Sequence, residues 1–130
     1  MTRVVVYTEL GGPEVLHLIE VADPVAGPGQ VVVQLTAVGV NPVDGKQRSG
    51  GRVLPPIVEP RRIGYDGAGV VSEVGPGVEH LQIGERVVVT ETPGTYAERL
   101  AVDAHNAVPI PREVSDEVAA AIGTPASTAY

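Results

Sequence analysis

The chain has 130 residues, 9 cations against 16 anions for a formal net charge of −7, 16 Gly and 12 Pro, and neither Cys, Trp nor Phe. One domain's worth of chain with 43% apolar residues can bury a core unaided, and the lack of Cys excludes disulfides and thiolate metal sites. No run reaches the roughly 20 apolar residues that cross a bilayer, and an acidic chain is poorly suited to nucleic acid, so the expectation is a soluble, cytoplasmic protein with no signal peptide, membrane or nucleic-acid partner.

Valine dominates the apolar residues, and its stiff branched side chain suits a pleated surface. Short valine-rich runs predict strands over 3–8, 16–21 and 30–40. Between them, Gly11-Gly12-Pro13 and Gly27-Pro28-Gly29 supply the fixed or positive φ that turns require. Asn41 then caps a predicted short helix with Pro42 at its first position. Further strands are predicted over 68–74, 86–91, 95–102 and 107–110, with Gly75-Pro76-Gly77 and Pro93-Gly94 as breaks. Many short strands at this spacing predict a mainly β fold, a closed or partly closed barrel. Ser115 caps a helix with Asp116 and Glu117 in its first turn, which runs through Val118-Ala119-Ala120-Ala121-Ile122 to a predicted stop at Gly123. A second helical segment is predicted over 125–130, and the chain is expected to continue past it. The organisation expected is a barrel over 1–114 and, over 115–130, the helical start of a connection to a further domain.

Four stretches occur together in order: Gly39-Val40-Asn41-Pro42-Val43-Asp44; Gly64-Tyr65-Asp66-Gly67-Ala68-Gly69-Val70-Val71; Val74-Gly75 leading to Gly84-Glu85-Arg86-Val87; and Ala119-Ala120-Ala121-Ile122-Gly123 ahead of Ser127-Thr128-Ala129-Tyr130. Over the whole chain this pattern resembles the medium-chain dehydrogenase/reductase superfamily, within it the zinc-free quinone oxidoreductase branch. The resemblance implies a GroES-like, partly open β-barrel, the substrate domain of enzymes in which a Rossmann domain that holds NADP(H) normally follows. A dinucleotide fingerprint needs Gly-x-Gly-x-x-Gly between strand and helix, where backbone N–H groups meet the pyrophosphate. The nearest approach, Gly67-Ala68-Gly69-Val70-Val71-Ser72, lacks the third Gly and runs into a strand. Its glycines read instead as letting a strand bend or approach another backbone.

Zinc relatives in this superfamily carry Cys, His and Cys at positions matched here by Asn41, Tyr65 and Thr124, none of which is a usable zinc ligand. Their proton-relaying hydroxyl falls on Val43, and the loop of their structural zinc shrinks to Thr92-Pro93-Gly94. His17, His80 and His105 fit no ligand spacing, so no metal is expected. The chemistry the resemblance implies is hydride transfer from NADPH to a quinone or enone, small-molecule acceptors whose developing oxyanion the protein stabilises.

Among individual residues, Asn41 and Thr128 match the family's cofactor-side positions, and Asn41 also reads as a helix N-cap; one side chain can serve both. Asp44 reads as a first-turn helix carboxylate. The only lysine, Lys46, stands where quinone oxidoreductases commonly have Tyr, in Asp44-Gly45-Lys46-Gln47-Arg48-Ser49-Gly50. Lys46 is therefore one candidate proton donor or oxyanion partner, and Tyr65 is the other. Lys46, Arg48, Arg52, Arg61 and Arg62 put five of nine cations into a segment whose one anion is Glu59, which suggests a positive mouth for an anionic cofactor or an acidic substrate. An enoyl-thioester or other double-bond reductase, and a non-enzymatic GroES-like binding module, are the alternative functions. A homodimer of the full-length protein is compatible with all of these.

Overall fold

The computed structural model describes residues 1–129, Ser127 by its backbone alone; Tyr130, the end of the predicted final helix, lies outside the described residues. In chain order the strands and helices are β1 (Thr2–Tyr7), β2 (His17–Val21), β3 (Gln30–Gly39), α1 (Pro42–Ser49), β4 (Arg61–Arg62), β5 (Asp66–Val74), β6 (Arg86–Val89), β7 (Arg99–Asp103), β8 (Ala107–Pro109), α2 (Asp116–Ala120) and α3 (Gly123–Ala129). The strands form two antiparallel sheets, in the orders β2-β1-β4 and β7-β3-β5-β6-β8. Every valine-rich run named above therefore forms a strand, within one to three residues at most ends.

The longest pairing, β3 with β5, sets Val33 opposite Val71 and Leu35 opposite Gly69, with register shifts at Val32/Val33 and Leu35/Ala37. Such irregularities bend a strand and increase its twist, which a barrel wall needs. Gly69 is required at its position, because a Cβ there would meet the Gln34 carbonyl oxygen and come within 2.8 Å of the Leu35 Cα. Gly69 thus serves the close approach of two backbones, as its context in a strand suggests, while Gly67 makes room for the Leu35 side chain.

The predicted strand over 95–102 is divided. Its second half is β7, paired with β3, while residues 95–98 form a seam between the sheets. Val5 N–H donates to the Tyr96 carbonyl at 2.9 Å and Glu98 N–H to the Arg3 carbonyl at 3.0 Å, while Leu35 N–H donates to the Glu98 carbonyl at 2.8 Å. Backbone groups from both sheets are satisfied by this one segment, so the barrel is partly closed. The main core lies between the walls of the larger sheet and is built on Val31, Val33, Val71, Leu81, Val87, Val89 and Val102. A second cluster around Tyr7, Val15 and Ile63 fills the end beneath β1.

Ser115 does cap α2, its Oγ accepting from Val118 N–H at 3.2 Å. The helix is anchored to the barrel by Asp116, whose carboxylate accepts from Arg86 (2.7 Å to Nη2) and from the Thr36 hydroxyl (2.6 Å). Arg86 also donates to the Val114 carbonyl at 2.7 Å. The Thr36 hydrogen bond first, and Arg86 after it, hold the Asp116 carboxyl below the usual range. A carboxyl depressed in the folded state contributes stability that is full above its unfolded pKa of about 3.9 and is lost as pH falls through the folded value. Denaturation midpoints are therefore expected to fall for the wild type below about pH 4, and the deficit of Asp116→Asn relative to it to be large at neutral pH and to vanish in acid. A deficit independent of pH would refute the anchor.

The end of the chain corrects the sequence reading at Gly123. This residue starts α3 instead of stopping α2, which ends at Ala120. The reason is contact: a Cβ on Gly123 would lie 2.6 Å from Asp66 Oδ1 and 2.8 Å from Thr90 Cγ2. Glycine is there to let α3 begin against β5, and Pro125 sits within its first turn, where a missing N–H is tolerated.

Candidate active-site cleft

The cleft is built where the start of α1, the head of β5 and the start of α3 meet. Asn41 sits in extended backbone just ahead of α1. Its N–H donates to Asp44 Oδ2 at 3.0 Å, so the cap of α1 is closed by the third helical residue reaching back. The Asn41 side chain is committed elsewhere: its Nδ2 donates to Asp66 Oδ2 at 2.9 Å. A carboxylate is an acceptor only, so this bond fixes which way the amide faces. The same Asp66 oxygen accepts the backbone N–H of Thr124 at 2.8 Å. Asp66 is fully buried, and Asn41 nearly so.

Tyr65, the residue before Asp66, lines a cavity of about 360 Å³ together with Val43, Arg52, Glu91, Thr124 and Thr128. The structure thus brings together Tyr65 and Thr128, and with them Val43 and Thr124, all singled out in the sequence. Asn41 contacts this group from behind through Asp66 and does not line the cavity. Lys46 is exposed and does not line it either; the next residue, Gln47, is the one that α1 turns inward. Gln47 is buried and its Nε2 donates to the Tyr65 hydroxyl oxygen. With that oxygen already accepting, the Tyr65 O–H is left to donate.

Asp44 is buried and carries a second load, accepting the Tyr96 hydroxyl at 2.8 Å. Burial first, and then the Asp44 hydrogen bond, push the Tyr96 hydroxyl well above the ordinary phenol range, so Tyr96 stays protonated as a donor. Sequence reasoning assigned no role to Gln47, Asp66 or Tyr96. A signal existed for Asp66, since a carboxylate set among Gly67-Ala68-Gly69 in a buried run has to find donors.

The five clustered cations do not form one positive mouth. Arg48 Nε donates to the Gly11 carbonyl at 3.2 Å, Arg62 Nη2 to the Gly94 carbonyl at 3.3 Å, and Arg61 to the Pro55 carbonyl while lying over the Tyr7 ring. Backbone carbonyls thus hold three of them, and the cleft itself receives Arg52, with Glu91 also on its wall. Glu91 is held at a positive φ of 53°, an unusual conformation for a residue with a Cβ.

Among the described residues, no group of three His, Asp or Glu side chains is placed to hold a metal ion, and no helix is long and apolar enough to cross a membrane. A nicotinamide ring with its carboxamide fits the cleft as built: an apolar wall at Val43, hydroxyls at Tyr65, Thr124 and Thr128, and room for one ring system. The 130 residues contain no Gly-x-Gly-x-x-Gly run, so what is present fits the nicotinamide end of a dinucleotide and not its pyrophosphate.

A mainly β, partly open barrel with short helices and a cleft at the foot of its last helix has the architecture of a GroES-like domain. The chain belongs to the alcohol dehydrogenase GroES-like domain family, whose model matches residues 27–112, and so to the medium-chain dehydrogenase/reductase superfamily. A quinone oxidoreductase of Lama guanicoe is 40% identical over 132 aligned positions, which cover 100% of this chain and 40% of the relative. The crystal structure of a quinone oxidoreductase from Pseudomonas syringae pv. tomato superposes with a TM-score of 0.89 at 36% identity, over 98% of this chain and 39% of that one. That of Escherichia coli quinone oxidoreductase complexed with NADPH gives 0.82 at 33% identity, over 92% and 36%. The chain therefore spans 40% of the length of the Lama guanicoe relative and a similar share of the others.

Proposed function

We infer that the chain is the substrate domain of a zinc-independent, NADPH-dependent oxidoreductase that reduces a quinone or an enone. Residues 1–114 serve as the substrate barrel and 115–130 as the start of the connection to a nucleotide-binding domain. The observation that carries this reading is the convergence of Tyr65, Thr124 and Thr128 on one cleft, with the Tyr65 oxygen already accepting from Gln47. The NADPH complex of the Escherichia coli relative supports the choice of cofactor.

Thr128 is the residue that would hold the nicotinamide end, and Asn41, which does not line the cavity, would act on it through Asp66. Bound NADPH supplies the hydride. As that hydride reaches an electron-poor carbon, negative charge gathers on the acceptor's carbonyl oxygen, and the role of the protein is to meet it with a donor already in place. Tyr65 fills this role: its O–H proton passes to the oxygen, and the phenolate is reprotonated from water. Gln47 orients the hydroxyl throughout, and Val43 keeps the wall apolar. Lys46, on the solvent side of α1, is the second candidate for the same proton.

Tyr65→Phe in the polypeptide that carries both domains is expected to lower kcat for a benzoquinone roughly a hundredfold with little change in KM for NADPH, the size expected for loss of one positioned proton donor. Lys46→Ala is the companion variant. If Lys46→Ala lowers kcat and Tyr65→Phe does not, the proton comes from the lysine and the role given to Tyr65 is wrong.

A further inference from the structure

One carboxylate oxygen ties together two segments that lie 25 residues before and 58 residues after it in the chain. Asp66 Oδ2 accepts Asn41 Nδ2, at the start of α1, and Thr124 N–H, at the start of α3. Its other oxygen, Oδ1, is buried with no hydrogen-bond partner among the described residues. Gly123 makes room for it, since a Cβ there would lie 2.6 Å from Oδ1, while a Cβ on Gly39 would meet the Ala120 carbonyl oxygen of α2 and lie 3.0 Å from the Asp66 Cβ. Burying a carboxylate with one oxygen unsatisfied costs stability, and an apolar side chain of similar size would fill the space without that cost. Of the apolar clusters that stabilise the barrel, two lie elsewhere and the third, Ala68 with Ala119 and Ala120, packs α2 on β5 without a carboxylate, so general stability does not account for an acid here.

We propose that Asp66 is a positioning residue, a buried clip that sets the start of α1 and the start of α3 in register with β5 and so fixes the two sides of the cleft. The clip explains why Gly123 begins a helix. It also explains why the Asn41 amide turns away from its own helix, and why Thr128, carried on α3, reaches the same cavity as Tyr65, which is carried on β5. The consequence for cofactor binding rests on the reading above, in which Thr128 faces the nicotinamide and Asn41 acts through Asp66; the clip itself does not.

The test compares Asp66→Leu, which removes the acceptor, with Asp66→Asn, whose single Oδ can still accept both donors as Oδ2 does now. Amide exchange followed by NMR on this chain reads the clip directly. In Asp66→Leu, Thr124 N–H is expected to exchange at least about tenfold faster and to lose the downfield shift of an amide bonded to a carboxylate, while the Val87 and Val89 amides of β6 keep their protection. Asp66→Asn is expected to retain most of the Thr124 protection. Unchanged Thr124 exchange in Asp66→Leu, or equal damage by both substitutions, overturns the proposal. If Asp66→Leu does not fold, Thr124→Pro removes the donor at a place in the first turn of α3 where the φ that proline fixes is tolerated. Accelerated exchange at Ala126, whose N–H bonds the Ile122 carbonyl in α3, then supports the clip, and unaltered exchange there overturns it. Kinetics of the two-domain polypeptide separate the two readings. A rise of about tenfold or more in KM for NADPH with Asp66→Leu, restored by Asp66→Asn, is expected. Lost Thr124 protection with an unchanged KM leaves the clip standing and removes Asn41 and Thr128 from the cofactor.

Discussion

Gly69→Ala is expected to destabilise the barrel by about 3 kcal/mol or more, and to lower the urea midpoint by about 2 M or abolish folding outright. The position lies in the middle of β5, directly opposite Leu35 of β3 in the longest pairing of the structure. The new Cβ would run into the Gln34 carbonyl oxygen and lie 2.8 Å from both the Gln34 carbonyl carbon and the Leu35 Cα. All three are backbone atoms held in the ladder, so no side chain can swing away to relieve the overlap. The strands would have to separate, and the same strands carry Val31, Val33 and Val71 into the main core. A typical domain has only about 5–15 kcal/mol of net stability, so this single methyl group removes a large share. An urea midpoint within about 0.5 M of the wild type would show that β3 and β5 approach less closely than described.

Asp44→Ala is expected to cost about 2–4 kcal/mol, mostly through two lost partners. Removing the carboxylate strips the Asn41 N–H of its acceptor, which opens the first turn of α1, and leaves the Tyr96 hydroxyl without its acceptor. Because α1 also presents Gln47 to Tyr65, the loss extends to the cleft: the tyrosine oxygen loses its orienting donor when the helix shifts. Tyr96→Phe removes only the second of the two bonds and is expected to cost about 1 kcal/mol. The double variant then reports a coupling of at least about 0.5 kcal/mol between the two residues, since they share a bond. Additive costs would mean that Tyr96 and Asp44 act independently, against the geometry.

The parts of the fold that could be read from the sequence are those decided by neighbours along the chain. Runs of valine between Gly and Pro mark strands because branched side chains and turn residues impose local backbone geometry, and Ser115 marks a helix start because capping involves the next three residues. What could not be read is decided across the chain. β4 consists of Arg61 and Arg62, two charged residues that pair with Tyr7 and Val6 of β1, and a two-residue charged stretch does not announce a strand. Gly123 looks like a helix stop in isolation and becomes a helix start only because Asp66 lies beneath it. The candidate site divides in the same way. Tyr65 and Thr128 stand in recognisable runs of residues, whereas Gln47 acquires its role from a contact 18 positions away and Asp44 acquires its second partner 52 positions away. Periodicity says that α1 buries one face; it does not say that an amide on that face meets a phenol.

The seam formed by residues 95–98 bears on how such a chain matures. The segment joins backbone groups near positions 3–5, 35 and 63, and β7 and β8 come after it. When about the first ninety residues have been made, the strands of the β2-β1-β4 sheet are all present, but the five-stranded sheet still lacks β7 and β8. The valine-rich β3 and β5 are already made by then, with β7 still missing from one edge. Long-range strand pairing of this kind is slow, and unpaired edges invite association between nascent chains. Assembly of the larger sheet must therefore wait until β8, which ends at Pro109, has emerged, and the edge of β3 stays open in that interval.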